Sequence, residues 1–463
     1  MPPRRALLPL LLLAGALPSS RAAADPPLAF VAPYFHVEAS LDGLQGSISC
    51  VVSPDGKHVY LAAKADDAVS EWSRDAATSA LLPLGRVLGD SQMGGDIPNF
   101  DRPQVLAQSP DGLFLYVGVG NTTATSTSGI AIFERDPDSG LLTHQGGVID
   151  GQDGAQLTRP FALAADAGFV FAGDFGLGTE VGAINVFRRD AATGQLTRIQ
   201  TLSHAGPSVV DGLDRVRWLA LSPDGQSLYA ASHGDNALGV YQRDAGTGML
   251  VFMQALQHGV GGVSGLVDPW GIQVSPDGAQ VYVASHGGGL DGSLDVFSRD
   301  AQTGELAALD SIAQADVGFE NPDDVALSPD ATRVYVTAQG ALGAYDGKLA
   351  VFSRDPATGV LTLLDLIADD ANGVDGLRGA LGVAVSPDGR SVYVASEQDA
   401  PPSPPQSERG ALAAFRAAPE PAAGAAEGAA LAVLAQLSAS QSRGRRKTSE
   451  RRASGVPGAG RQS

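Results

Sequence analysis

The chain has 463 residues, with 58 glycines, 29 prolines and a single cysteine, Cys50, so no intramolecular disulfide can staple it. The formal charge is −20, and both ends are basic, which concentrates the acidic excess between residues 25 and 416. Such a surface repels phosphate backbones and anionic bilayers, which argues against nucleic acid as a partner and favours cations or cationic groups.

The N-terminus, MPPRRALLPLLLLAGALPSSRAAADPP, has the secretory pattern. Arg4 and Arg5 precede an apolar core from Ala6 to Leu17 that is too short to span a bilayer, and Ala22-Ala23-Ala24 supplies a small-residue cleavage site. Residues 1–24 are expected to be a signal peptide, with Asp25 the first mature residue. The expected location is periplasmic, extracellular or cell-surface.

From there the chain repeats itself. Each unit has an apolar run, then Ser-Pro-Asp-Gly, then a run that ends near an aromatic: Tyr60, Tyr116, Phe171, Tyr229, Tyr282, Tyr335 and Tyr393. A second anchor follows in each: Trp72, Phe133, Phe187, Tyr241, Phe297, Phe352 and Phe415, six of them before an Arg-Asp pair. An Asp-x-x-Thr-Gly-x-Leu element then recurs, as in DAATGQL and DAQTGEL. In the fourth unit WLALS reads as strand a, SLYAAS as strand b and ALGVYQRD as strand c. Pro-Asp-Gly turns a into b, and the Thr-Gly turn leads into strand d. Four short strands repeated seven times predict an all-β, seven-bladed propeller over residues 25–416. The third unit, ALAADAGFVFAG, is worn and its turn is expected to be shortened. The seventh unit lacks a strand d, so residues 34–42, YFHVEASLD, are expected to close the ring from the N-terminus and cover an open edge.

The tail, residues 417–463, changes composition. Pro419-Glu420-Pro421, an Ala-rich stretch and a basic cluster resemble the PEP-type sorting signal of bacterial surface proteins. Anchoring at a membrane or surface is what that resemblance implies. A disordered Ala-rich tail is the other reading.

In this strand order the repeated turns share one face, and the b–c and d–a loops share the other. The second face varies in length and charge, so function is expected there. Four residues beyond each strand-b aromatic stand Lys64, Gly120, Phe175, His233, His286, Gln339 and Glu397. His233 and His286 form a pair of imidazoles in adjacent units, able to hold a metal or an oxyanion; descent from a duplicated blade is the plainer explanation. Arg215, Arg217, Trp218 and Trp270 lie near strand-a starts and suit a sugar or an organic acid, or simply pack between blades. The d–a loops are rich in Asp-Gly. Asp150, Asp153, Asp211, Asp214, Asp323 and Asp324, with Asp369, Asp370 and Asp375, offer oxygens for a divalent cation such as calcium, or ordinary turn chemistry.

The units SPDGKHVYLAA and VFSRDAQTGELAALD resemble the lactonase-like seven-bladed propellers, the family that includes propeller-type 6-phosphogluconolactonase. LYAASHGDNALGVY also resembles the YVTN-type surface propellers. The resemblance spans residues 34–416 and implies lactone hydrolysis, with Pro-His or Arg-His pairs just before strand a. Here those places hold Pro103-Gln104, Arg217-Trp218, Pro269-Trp270 and Pro322-Asp323, with no histidine. A hydrolase would need its base from His233, His286 or an acidic residue such as Glu397, with Arg217 as oxyanion donor. The sequence therefore leads to an exported propeller that binds a small molecule, glycan or protein on its loop-rich face. An extracytoplasmic lactone hydrolase is the alternative.

Overall fold

The computed structural model describes residues 27–35, 43–88, 100–120, 128–176, 182–204, 211–289, 292–341, 343–398 and 410–418. Residues 1–24, read as a signal peptide, and the tail from residue 419 onward lie outside these described residues. Within them, seven four-stranded antiparallel sheets form the blades of a propeller. Blades one to six span residues 47–88, 103–149, 160–203, 216–257, 269–313 and 322–368, each in the order a-b-c-d. Blade seven takes Ala380–Val385, Ser391–Ser396 and Ala411–Ala417 as strands a to c. The innermost strands touch from blade to blade around a central channel, and blade one meets blade seven.

The N-terminal segment does close the ring, but with a different stretch than its sequence suggests. Leu28–Phe35 is the outer strand of blade seven, paired antiparallel to Ala411–Ala417. Residues 36–42 fall outside the described set. The reason is apolar content. Leu28 is buried, Phe30 packs edge-on to Phe415 at 5.5 Å, and Tyr34 lies 5.2 Å from Trp72. The stretch 34–42 offers fewer such groups and carries Glu38 and Asp42.

Each aromatic anchor of the repeat is buried. The strand-b tyrosines also serve a polar clamp between blades. Arg135, at the end of strand c in blade two, donates from Nε to Tyr60 of blade one at 2.8 Å and from a terminal nitrogen to Asp55 at 2.7 Å. Its other terminal nitrogen holds the carbonyl of Gly112 in its own Ser-Pro-Asp-Gly turn. Arg189, Arg299 and Arg354 repeat the arrangement on Tyr116, Tyr229 and Tyr282. Two changes separate the third unit: Phe171 stands where the others have tyrosine, and its a–b turn is three residues rather than five.

Candidate active site at the channel mouth

The same backbone bond recurs in all seven blades on the face opposite the Ser-Pro-Asp-Gly turns. The residue four beyond the strand-b anchor donates its N–H to the carbonyl of the residue just before strand a. The pairs are Lys64 to Gly46, Gly120 to Arg102, Phe175 to Arg159 and His233 to Arg215. His286 to Asp268, Gln339 to Asn321 and Glu397 to Gly379 complete the ring. Six of the seven acceptor residues are left-handed, with φ from 51 to 70°, and Arg159 is the exception. The bond pins both positions at the channel mouth in every blade, so blades differ there only in side chain.

Next inward comes the second residue of each strand a. These are Ile48, Gln104, Phe161, Arg217, Trp270, Asp323 and Leu381, and all seven line one enclosed space in the channel. This corrects the sequence alignment of blade four. Strand a begins at Val216, so Arg217, not Trp218, is the counterpart of Trp270 and Asp323. Trp218 points one step further down, into a lower cavity of about 320 Å³ that it shares with Asp324 and Cys50. Asp323 and Asp324 are also corrected. Pro322 begins a strand, so both carboxyls enter the channel and neither is a loop ligand.

The upper cavity holds about 240 Å³ and is lined by Lys64, Arg102, Gln104, Arg159, Phe161, Phe175, Arg217, His233 and Trp270. Three adjacent blades aim guanidinium groups into it. The Nε atoms of Arg102, Arg159 and Arg217 are buried and have no hydrogen-bond partner among the described residues. Arg217 lies between two rings, 3.9 Å from the centre of Trp270 and 4.7 Å from that of Phe161. Arg159 lies 4.5 Å from Phe161. Burial pushes Arg217 down to about 10, and Asp323 and Asp268 pull against that, so it remains a cation at neutral pH. Lys64 is already neutralised by Glu397 across the blade one–seven seam at 2.7 Å. The pocket therefore has a cationic side with unused N–H donors among the described residues, which fits an anion.

The opposite wall is different. His233 stands over Phe175, 5.5 Å between centres, and its Nδ1 is hydrogen-bonded to Asp268 Oδ1. Asp268 also accepts the indole N–H of Trp270 at 2.9 Å. Burial alone would raise Asp268. The bonds from His233 and Trp270 outweigh it and hold the carboxyl below its usual range. The carboxylate thus receives the Nδ1 proton, and Nε2 of His233 is left with its lone pair. His286 stacks on Trp270 at 4.8 Å, behind the pocket wall.

The remaining candidates are spread out. Arg215 is exposed at the rim, 5.9 Å from Phe175. Asp150 and Asp153 are exposed in the blade-two loop, and Asp150 caps the N–H of Leu157. Asp211 gathers with His204 and Asp235, and Asp369 with Asp370 and Asp375, their ligand-type atoms within 4.8 Å in each group. Asp214 holds the neighbouring strand-b end through its carbonyl, which accepts from Gly234 and Ser232. Arg102, Arg159, Phe161 and Asp268 escaped the sequence reading. Their signal was there: Arg102, Arg159 and Asp268 each precede the proline that opens a strand a.

The family model for the lactonase seven-bladed β-propeller matches residues 179–262 and 217–369, which covers most of blades three to six. No curated protein matches the sequence. Among solved structures, a candidate 6-phosphogluconolactonase from Bacteroides uniformis aligns with a TM-score of 0.56 at 17% identity, over 76% of this chain and 91% of that one. The periplasmic gluconolactonase of Pseudomonas aeruginosa aligns at 0.54 and 21%, over 76% and 95%. Hydrazine synthase of Kuenenia stuttgartiensis aligns nearly as well, at 0.52 and 17%, over 78% and 96%, so at these identities the likeness is one of fold and not of chemistry. By the architecture of its seven sheets the chain is a seven-bladed β-propeller, and its central blades resemble the lactonase family.

Proposed function

We propose that this protein hydrolyses a small lactone bearing an anionic group, outside the cytoplasm. The observation that carries the reading is one pocket with a carboxylate-oriented imidazole on one wall and, on the other, three guanidinium groups whose buried Nε atoms have no hydrogen-bond partner among the described residues. The cations from blades two to four hold the anionic substituent. The Phe161, Phe175 and Trp270 rings pack against these guanidinium groups and His233 and hold them in place, and the secretory pattern of residues 1–24 supports the compartment.

In the proposed step a water molecule gives its proton to Nε2 of His233 as its oxygen attacks the lactone carbonyl carbon. The carbonyl oxygen becomes an alkoxide beside the guanidinium groups, with Arg217 nearest the floor. Asp268 stabilises the imidazolium that forms. Collapse re-forms the carbonyl and breaks the ring carbon–oxygen bond, and the leaving alkoxide takes the proton back from His233. The product is a hydroxy acid, which ionises.

Binding of the same anion without turnover is the second reading. Its support is that none of the seven inward strand-a residues is a histidine. A pH-stat screen of gluconolactone, its 6-phosphate and a uronic acid lactone separates the two. Turnover that falls at least a hundredfold in His233→Ala supports hydrolysis. Tight aldonate binding by calorimetry with no turnover in any assay supports the binding module. Neither turnover nor aldonate binding would overturn both.

A further inference from the structure

His233 and Asp268 are the upper half of a longer chain of titratable groups. Asp268 meets His233 with Oδ1 and faces Nδ1 of His286 with Oδ2, at 3.8 Å. The other nitrogen of His286, Nε2, lies 4.0 Å from Asp323 Oδ1 and 3.3 Å from Gln339 Oε1. Imidazole and carboxylate therefore alternate from mouth to floor across blades four, five and six. Asp323 is 3% exposed. Its Oδ2 accepts the N–H of Gln339 at 3.1 Å, while Oδ1 has no hydrogen-bond partner among the described residues. Leaving a buried polar atom unpaired costs about 1–3 kcal/mol. Packing does not require that cost, because leucine fills the equivalent place in blade seven.

The atoms facing the two nitrogens of His286 are all oxygens. A neutral imidazole has one N–H and one lone pair, so one nitrogen would aim a lone pair at an oxygen. A proton on Asp323 Oδ1 gives that lone pair a donor, and Gln339 Oε1, at 3.3 Å, is served when Nε2 itself carries the proton. The O–H donates to Nε2, and Nδ1–H then donates to Asp268 Oδ2. Moving that proton onto Nε2 leaves an imidazolium between two carboxylates, with the proton count unchanged. Either arrangement puts a donor on Asp268 Oδ2 and keeps Oδ1 on His233. Both gaps are about 1 Å longer than a hydrogen bond, a span that one ring rotation or one water closes.

The charged groups around the pair are few. Arg217 faces it from blade four, Asp324 is its chain neighbour, and Asp268 and His233 lie on the mouth side. Burial raises the Asp323 carboxyl well above its usual range, and Arg217 pulls it down. Burial lowers His286, and Asp268 pulls it up. Both directions favour the proton on Asp323 over His286.

We infer that Asp323 and His286 share one buried proton and through it position Asp268, and hence the imidazole of His233. Both are positioning residues, since neither lines the upper pocket. The consequence for rate rests on the hydrolase reading; the proton sharing itself does not. The test combines histidine ¹⁵N NMR between pH 5 and 10 with the lactone assay. In the wild type the His286 signals move in one step as the shared proton leaves. Asp323→Asn keeps a donor without a titratable proton, so that step disappears, His286 keeps its Nδ1–H signal, and kcat stays flat on the alkaline side. Asp323→Leu loses the Nδ1–H signal, and kcat falls on the order of tenfold with KM unchanged, below the full contribution of a general base. If the leucine variant does not fold, the asparagine variant carries the test alone. A His286 spectrum identical in wild type and Asp323→Asn overturns the inference. Altered His286 titration without turnover of any lactone keeps the shared proton and removes the hydrolase reading. Turnover that needs His233 but ignores every change at Asp323 does the reverse.

Discussion

The seam between blades three and four lacks one atom that four other seams possess. Arg243 ends strand c of blade four and should reach a tyrosine hydroxyl in blade three, but finds Phe171. Its terminal nitrogens still hold Asp166 and the carbonyl of Gly225, while its Nε is buried without a partner among the described residues. Phe171→Tyr supplies the hydroxyl. In the neighbouring seam the Tyr116 hydroxyl accepts from Arg189 at 3.0 Å and donates to the Gly194 carbonyl at 3.1 Å. The equivalent acceptor for the added hydroxyl is the carbonyl of Gly248. A hydrogen bond to a charged group contributes about 1.5–3 kcal/mol, and a neutral one about 1 kcal/mol. Ordering and imperfect fit take part of that, so Phe171→Tyr should stabilise by about 1–2 kcal/mol. The reciprocal Tyr229→Phe orphans Nε of Arg299 and should cost about 1.5–3 kcal/mol. Urea denaturation followed by tryptophan fluorescence measures both, as a shift in midpoint at constant slope. A Phe171→Tyr protein no more stable than wild type, beside a Tyr229→Phe protein that loses under about 0.5 kcal/mol, would refute the clamp.

Three other outcomes follow from the same contacts. Burial pushes Glu71 up to about 7, against the bond it accepts from the Leu142 N–H, so it favours the folded state below an unfolded pKa of about 4 and loses that contribution as pH rises to about 7. Glu71→Gln should therefore match wild type at pH 4 and be more stable at pH 8, and thermal melts with no difference at pH 8 would count against it. Asp55 and Asp388 behave oppositely. Burial raises them, but hydrogen bonds from Ser53 and Arg135, and from Arg74 and Ser386, hold them down to about 2, so their contribution is present above pH about 4 and lost between about 4 and 2. Acid titration by circular dichroism should show Asp55→Asn less stable than wild type at pH 6 and equal to it near pH 2. Deleting residues 27–35 bares the edge of Ala411–Ala417 and should give aggregates by size-exclusion chromatography; a monomer with unchanged melting would show that the strand is dispensable.

The fold was legible because its signals are local and repeated. Ser-Pro-Asp-Gly, the strand-b aromatic and the Arg-Asp pair each do one local job, and the chain states them up to seven times. The worn third unit was legible too, and the structure explains it: a shorter turn and a phenylalanine in place of the clamp tyrosine. The closing strand was placed by a resemblance between short stretches and missed its bounds, which the apolar run from Leu28 to Val31 marks better than the stretch that carries Glu38 and Asp42. The site was half legible. His233, Arg217 and Trp270 could be picked as residues near strand ends. Asp268, Arg102 and Arg159 were marked only by the proline that follows each, because their role depends on the left-handed or pre-proline turn that swings them over the channel. Asp323 and Asp324 read as loop acids because they sit in an acidic run like the other d–a loops, although Pro322 opens its strand as Pro103, Pro160 and Pro269 do.

The ring of seven identical backbone bonds explains why chemistry could gather here without disturbing the fold. Each bond fixes two positions at the mouth and leaves their side chains free to differ. The differences are not scattered. Blades two, three and four contribute Arg102, Arg159 and Arg217, while blades four, five and six contribute His233, Asp268, His286 and Asp323. Blades seven and one supply a closed ion pair, Glu397 with Lys64, that offers no charge to a ligand. A seven-fold scaffold thus carries a dipolar site: cations on one arc, bases and acids on the next, and a neutral seam on the last. A ligand with one anionic end and one electrophilic carbonyl has only one orientation in which the anion meets the arginines and the carbonyl meets His233. The asymmetry of the ring, more than any single residue, separates this mouth from a structural channel lined by packing residues alone.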